Sequence, residues 1–226
     1  QAVDEKWTKI QEFTTLPKNE FLLGLKMVME NCVFKYRDTI YKQIFGSPMG
    51  SPGSPCFADL IMEILEEEVI KKLPCKLPFF FRYVDDILTA VPSGKKEEIL
   101  QAFNDYNQSI QFTMEVETNC SIAFLDLLVI RTDNGKMRTD WFHKDTWSGR
   151  YLNFNSCLPF SYKKNTIKIL TDKIMQLSDP EFHNKNFQLL NDTLLKNDYP
   201  KKLIKDIIEK TLNGIKKNQH QMESNG

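Results

Sequence analysis

Two adjacent aspartates, Asp85 and Asp86, interrupt an apolar run in "FFFRYVDDILTAV". β-Branched and aromatic residues on both sides predict two short strands, Pro78 to Val84 and Ile87 to Val91, joined by a tight turn. Two-residue hairpin turns favour Asn-Gly over Asp-Asp. Two carboxylates roughly 5 Å apart also repel by about 3 kcal/mol at an effective dielectric of about 20. The tip therefore opposes both turn preference and charge. It is either a solvated, exposed turn or a place where a divalent cation relieves the repulsion. Mg²⁺ would suit, because it takes carboxylate oxygens and shares them with substrate phosphates.

Upstream lies "GSPMGSPGSP", Gly46 to Pro55, in which Met49 alone is not Gly, Ser or Pro. It precedes "CFADLIMEILEEEVIKKL", where Phe57, Leu60, Ile61, Ile64, Leu65, Val69 and Leu73 follow the spacing of an amphipathic helix. Ser54 fits the N-cap and Pro55 the first helical position. A small-residue loop opening a helix offers free backbone N–H groups, an anion site, and lets a nucleotide approach closely. No Gly-Lys-Ser/Thr follows, so it is not a Walker loop. A plain connecting turn is the competing reading.

The rest of the chain alternates between helical and strand periods. Residues 3 to 31 read as helix broken near "TTLPKNE", with Leu22, Leu25, Met29 and Val33 on one face. "CVFKYRDTIYKQIF" reads as a hairpin around Arg37-Asp38, and "GKKEEILQAFNDYNQSI" as a helix. "FTMEVE", "IAFLDLLVIRT" and "KMRTDWFHK" read as strands, the last two joined through Asp133-Asn134-Gly135. Three helices follow, about Phe160 to Leu177, Glu181 to Lys196 and Lys201 to Leu212. Pro180 and Pro200 mark starts, and a polar, frayed tail follows Gly214. This order predicts an α+β fold with an antiparallel sheet, followed by an all-α segment.

Charge divides the same way. The net charge is zero, yet residues 1–120 carry 13 Lys and Arg against 18 Asp and Glu, and the remainder carries 17 against 12. An acidic half joined to a basic half suits a metal site beside a polyanion-binding surface, or is simply unevenly solvated charge. Cys32, Cys56, Cys75, Cys120 and Cys157 are scattered, with no CxxC pair, which argues against a zinc module or disulfide scaffold. The expectation is a reducing, intracellular compartment, with the nucleus compatible. No signal peptide and no apolar run of about 18 residues occurs, so the chain is expected to be soluble, with no membrane partner. The chain starts on Gln1 in what reads as mid-helix, the look of a fragment.

"PMGSPGSP" opening a helix, followed by "YVDD" on a hairpin, resembles the motif pair of reverse transcriptases, and the chain is similar to their Penelope-like branch. "YKQIFGSPMGSPGSPCFADLIMEILEE" resembles that family's motif B and "FFFRYVDDIL" its motif C. "IAFLDLLVIR" and "TDWFHKDTWSGRYLNFNSCLPFSYKKN" resemble the segments that follow. The likeness runs from about Lys35 to Leu212. It implies part of a right-hand polymerase palm over residues 1–128, a primer-grip-like β segment over 129–157, a thumb-like, helix-turn-helix-like bundle over 158–214, and a polar tail over 215–226.

By the same resemblance, Asp85 and Asp86 are catalytic and metal-binding, and Met49, Gly50, Ser51, Pro52 and Tyr83 meet nucleotide or template. Trp141, His143 and Lys144 form the primer grip, whose competing reading is strand packing. Lys163, Lys164 and Lys168 lie along the nucleic-acid backbone, or on a merely solvated helix face. The implied cofactor is Mg²⁺ in a two-metal site, with Mn²⁺ as the alternative ion. The implied partners are an RNA template, a DNA primer and deoxynucleoside triphosphates. Two departures stand out. Gly53 replaces an expected Leu. The pattern's further Asp, on a strand upstream of the glycine loop, is not found: Asp4 lies in polar, helical "AVDEKW" and Asp38 in a hairpin turn. The expectation is a polymerase fragment inactive alone. The alternatives are a nonenzymatic nucleic-acid-binding protein and an inert relic.

Overall fold

The computed structural model describes residues 2–48, 50–51 and 53–224, of which Ala2 and 218–224 are described by backbone only. Met49 and Pro52 of the glycine loop lie outside the described residues. Two compact units divide the chain, Gln1–Met114 and Glu115–Gly226. The boundary expected at residue 128 falls inside a strand, β6 below.

The first unit begins with α1 (Ala2–Ile10) and α2 (Lys18–Glu30). No residue of α2 is buried, and Val33 opens a strand instead of closing the helical face. β1 (Val33–Tyr36) and β2 (Thr39–Lys42) pair antiparallel, with Tyr36 opposite Thr39, so Arg37-Asp38 is the turn, as expected. α3 (Ser54–Lys72) buries Met62, Ile64, Leu65 and Val69. Ile61, expected on the same face, is exposed. The cap also differs: Gly53 is the N-cap, and the Ser54 hydroxyl donates to the Pro48 carbonyl at 2.5 Å. A Cβ on Gly53 would lie 2.9 Å from the Phe57 ring, so a larger residue there requires that ring to move.

β3 (Phe80–Tyr83) and β4 (Asp86–Thr89) form the aspartate hairpin, and α4 (Lys96–Asn104) follows. Leu65, Val69, Ile99 and Phe103 are the core of this unit, with Phe80 and Ile87 against them. Thus the hairpin lays its Phe80 and Ile87 side on the α3–α4 pair. "FTMEVE" is not a strand. It pairs with no ladder, and the only bridges nearby are Asn107 with Ile110 and Thr118 with Ser121.

In the second unit, β5 (Ser121–Phe124), β6 (Leu127–Arg131) and β7 (Met137–Trp141) make a sheet in the order β5-β6-β7. "IAFLDLLVIRT" is therefore a hairpin, not the single strand its apolar run predicts; it turns at Leu125-Asp126. α5 (Phe160–Leu177), α6 (Pro180–Lys196) and α7 (Lys201–Ser224) complete the unit. α7 runs through Gly214 to Ser224, where a frayed tail was expected. Trp141, Ile167, Leu170, Ile174, Leu190, Leu194, Tyr199 and Ile204 are the buried core, one strand and three helices contributing. The fold is α+β, with small antiparallel sheets and a C-terminal helical region. Among the described residues, no helix is long and apolar enough to cross a membrane.

Candidate nucleic-acid interface

At the aspartate hairpin, Tyr83 pairs with Asp86, so the two-residue turn is Val84-Asp85 and Asp86 is the first strand residue. Val84 sits at φ +58, and Asp85 is not in the positive-φ region. That sign pattern belongs to the turn type that places Gly first, so a β-branched residue there is strained. Arg37 and Leu125 hold the same place in the other two Xaa-Asp turns, at φ +53 and +55. Asp85, Asp86 and Tyr83 are all exposed. Arg82, on the opposite face of β3, donates to Asp59 Oδ1 at 2.8 Å and pairs with Glu66, fixing the hairpin to α3. Burial pushes the Glu66 carboxyl above its ordinary range, against the pull of the Arg82 charge.

Two adjacent carboxylates at one hairpin tip supply only part of a near-octahedral shell, the rest of which would have to come from water or substrate phosphates. Among the described residues, no group of three or more His, Cys, Asp or Glu is placed to hold a metal ion. In the glycine loop, Gly50 adopts φ +87, which glycine tolerates and other residues resist. The Ser51 amide donates to Pro48 O at 3.2 Å and the Ser54 amide to Ser51 O at 3.1 Å. Both N–H groups are engaged within the loop, leaving fewer for an anion.

Of the primer-grip candidates, Trp141 ends β7, and His143 and Lys144 follow it. Trp141 is buried in the core, and the His143 ring stands edge-on between Trp141 and Trp147, at centroid distances of 4.2 and 3.8 Å. Burial lowers the His143 pKa; the Asp126 charge opposes this and the Lys173 charge adds to it. Lys144 is exposed.

The helical region is built around its turns. Asp179, the N-cap of α6, accepts the Thr139 amide at 2.7 Å and Arg138 at 3.3 Å, tying the start of α6 to β7. α6 ends in a Schellman arrangement: Asp198 N donates to Leu195 O at 3.0 Å and Tyr199 N to Leu194 O at 3.1 Å, with Asp198 at φ +65. Asn197 Nδ2 donates to Gly149 O and to Thr193 O, each at 2.8 Å, and its Oδ1 accepts the Tyr151 amide at 3.0 Å. One side chain thereby holds the segment leading into α5 against the end of α6. Pro200 then opens α7. The four residues 197–200 are a turn of the length that joins the two helices of a helix-turn-helix.

Lysines decorate the outside. On α7, Lys201, Lys202 and Lys205 are exposed around the buried Ile204. On α5, Lys164 and Lys168 are exposed, but Lys163 donates to Ser156 O at 2.8 Å and lies over the Phe154 ring. Lys163 is thus occupied in holding the loop before α5. On α6, Lys185 is paired with the buried Asp140. The sequence reading counts the α7 lysines Lys201, Lys202 and Lys205 among those able to neutralise phosphates but chooses Lys163, Lys164 and Lys168 as its site. It misses Asn197 and Asp140, whose roles depend on contacts more than forty positions away.

Residues 150–209 match the model of the animal helix-turn-helix domain, a stretch that takes in α5, α6 and the start of α7. The second unit thus contains a helix-turn-helix region. No curated protein and no solved structure matches the chain.

Proposed function

We propose that the C-terminal unit binds nucleic acid without catalysing a reaction on it, and that α7 carries the contact. The observation behind this is the helix-turn-helix match over residues 150–209, on a fold that leaves Lys201, Lys202 and Lys205 outward at the start of the helix after the turn. Residues 144–226 hold 14 Lys and Arg against 9 Asp and Glu. The exposed residues at the start of α7 are mostly lysines, which contact phosphates, and include no Asn or Gln suited to reading base edges. Binding is therefore tolerant of sequence and driven by counterion release.

The test is affinity for a labelled DNA duplex and an RNA–DNA duplex over a salt series. The expected log–log slope is about −3, at roughly −0.9 per phosphate contact on B-DNA. Replacing Lys201, Lys202 and Lys205 together with Ala should remove most of that slope. Absence of duplex binding at low salt would reject the proposal.

A second reading is favoured by one observation, the exposed Tyr83-Val84-Asp85-Asp86 tip with its strained first turn residue. Here the chain is the later palm and thumb of a Penelope-like RNA-directed DNA polymerase, acting on an RNA template, a DNA primer and deoxynucleoside triphosphates. Mg²⁺ or Mn²⁺ would be held at Asp85 and Asp86 with a carboxylate not found among the described residues. Primer extension by a longer protein that supplies the upstream carboxylate, lost in Asp85→Ala, would favour it over the binding-only reading.

A further inference from the structure

The three-stranded sheet of the second unit has one guarded edge and one open one. On β7, Thr139 turns its N–H and C=O outward, and Asp179 takes both: its carboxylate accepts the amide at 2.7 Å and its own amide donates to the carbonyl at 2.8 Å. On β5, the register with β6 and the turn at Leu125-Asp126 point the Ile122 and Phe124 backbone at β6, and the Ser121 and Ala123 backbone away from it. Ser121 is satisfied. It exchanges hydrogen bonds of 2.9 and 3.0 Å with Thr118, around a turn whose central residues, Asn119 and Cys120, sit at φ +52 and +57. Two positive φ values make a hairpin turn whose twist suits paired strands. Ala123 is not satisfied: its N–H and C=O find no partner among the described residues. Nothing from Ser121 to Phe124 supplies the charge or proline that protects an exposed edge.

The rung at Thr118 fixes what comes next. In the same register Glu117 falls opposite Ile122 and Val116 opposite Ala123. Val116 is 52% exposed, and its side chain would there lie beside Ala123 and Leu128. Its carbonyl instead accepts the Thr118 hydroxyl, at 3.2 Å. A local bond of that kind competes with a ladder. Glu117 is already tied to Arg131 of β6, at 3.0 Å. We propose that residues 115–118 are a strap poised to close on the β5 edge as a fourth strand, with the Thr118 hydroxyl as the catch that holds it open. Closing exchanges the catch for two ladder bonds, Val116 N–H to Ala123 O and Ala123 N–H to Val116 O. The strap also lies in the chain that joins the two units. Phe112 is held in the first by Asn104, whose side-chain oxygen accepts its amide at 2.6 Å, and Thr118 belongs to the second. Open, residues 113–117 join the units with no ladder partner. Closed, only 113 and 114 do, so the strap sets the length of the free joint.

Amide hydrogen exchange of the whole chain, resolved by residue with NMR, reads the two ladder bonds directly. Thr118→Val removes the catch and keeps a β-branched strand residue. Ala123 and Val116 should then exchange roughly fivefold more slowly than in the unaltered chain, the factor for one ordinary hydrogen bond. Thr118→Ser keeps a hydroxyl and should exchange as the unaltered chain does. Adding Val116→Pro to Thr118→Val takes away one of the two donors, so Ala123 should return to the unaltered rate or exceed it. A proline variant that does not fold is replaced by Val116→Gly, judged by the same criterion. Ile122 and Phe124, whose amides bond to β6, should keep their rates within about twofold throughout, which separates the strap from general loosening of the sheet. Equal rates at Ala123 in Thr118→Val and Thr118→Ser, or Ile122 rates that follow those of Ala123, overturn the proposal. The strap shares no residue with α7, so its failure leaves the nucleic-acid reading untouched.

Discussion

Asn186 Nδ2 donates to Asp140 Oδ1 at 2.8 Å, and both side chains are buried, at 1% and 3% exposure. The pair joins the middle of β7 to α6. Asp140 Oδ1 also accepts the Trp141 amide at 2.8 Å, and Lys185 reaches the other oxygen from the surface. A buried charge held from three directions is costly to leave short of one of them. Asn186→Ala should therefore destabilise the C-terminal unit by roughly 1.5–3 kcal/mol, the range for a hydrogen bond to a charged group. Urea unfolding followed by tryptophan fluorescence measures it, since Trp141 is adjacent. A change under about 0.5 kcal/mol would mean that Asp140 is satisfied without Asn186.

Arg82 and Glu66 hold the aspartate hairpin to α3 in a comparable way. Removing Arg82 leaves a mostly buried carboxylate facing Asp59 without its cation. Arg82→Met should cost roughly 1–3 kcal/mol in the first unit, and Arg82→Met with Glu66→Gln should cost less than Arg82→Met alone. Thermal melts of the three proteins decide it. Equal destabilisation by the single and double variants would show that the charge at Glu66 is not the source.

Much of the secondary structure was legible because the signals were local. Tyr36-Arg37-Asp38-Thr39 reads as a turn between alternating strands, and Pro180 and Pro200 announce the helix starts. The β5–β6 hairpin was hidden because Leu125 occupies a position where φ is positive and glycine is the usual resident. An apolar residue in a turn erases the break that separates two strands. "FTMEVE" failed for the opposite reason: it alternates like a strand but finds no neighbour to complete a ladder. The exposed α7 lysines were visible in the sequence. What could not be read was that Lys163 is occupied by the Ser156 carbonyl and Lys185 by Asp140, which needs the third dimension.

Val84 offers a direct test of turn strain. At φ +58 its β-branched side chain costs on the order of 1–3 kcal/mol, while glycine there adds about 0.5–1 kcal/mol of unfolded-chain entropy. The Val84 side chain is exposed, so little packing is lost. Val84→Gly should be neutral or stabilising by about 1 kcal/mol, whereas Val84→Ala should gain less because alanine also resists positive φ. Chemical denaturation of the three proteins gives the order. Destabilisation by glycine beyond about 0.5 kcal/mol would mean the valine side chain contributes contacts that outweigh the strain.

His143 gives the chain a pH dependence whose sign can be worked out. Its ring is half-buried between Trp141 and Trp147, and burial lowers its pKa below the ordinary value of 6.5. The charged groups facing it are Asp126, which favours the proton, and Lys173, which opposes it. Those two also pair with each other, at 2.5 Å, so their effects largely offset and burial decides. Above pH 6.5 the ring is neutral in both folded and unfolded states and contributes no slope. As pH falls below 6.5, the unfolded chain takes up a proton that the folded one refuses, so stability is lost down to the folded pKa and then levels off. Urea midpoints at pH 7.5 and pH 5 should show the C-terminal unit weaker at pH 5, and His143→Gln should shrink that difference. Removing the Asp126 charge with Asp126→Asn takes away the one group that favours the imidazolium, so the difference should widen. A His143→Gln protein with an undiminished difference between the two pH values would assign the dependence to other groups.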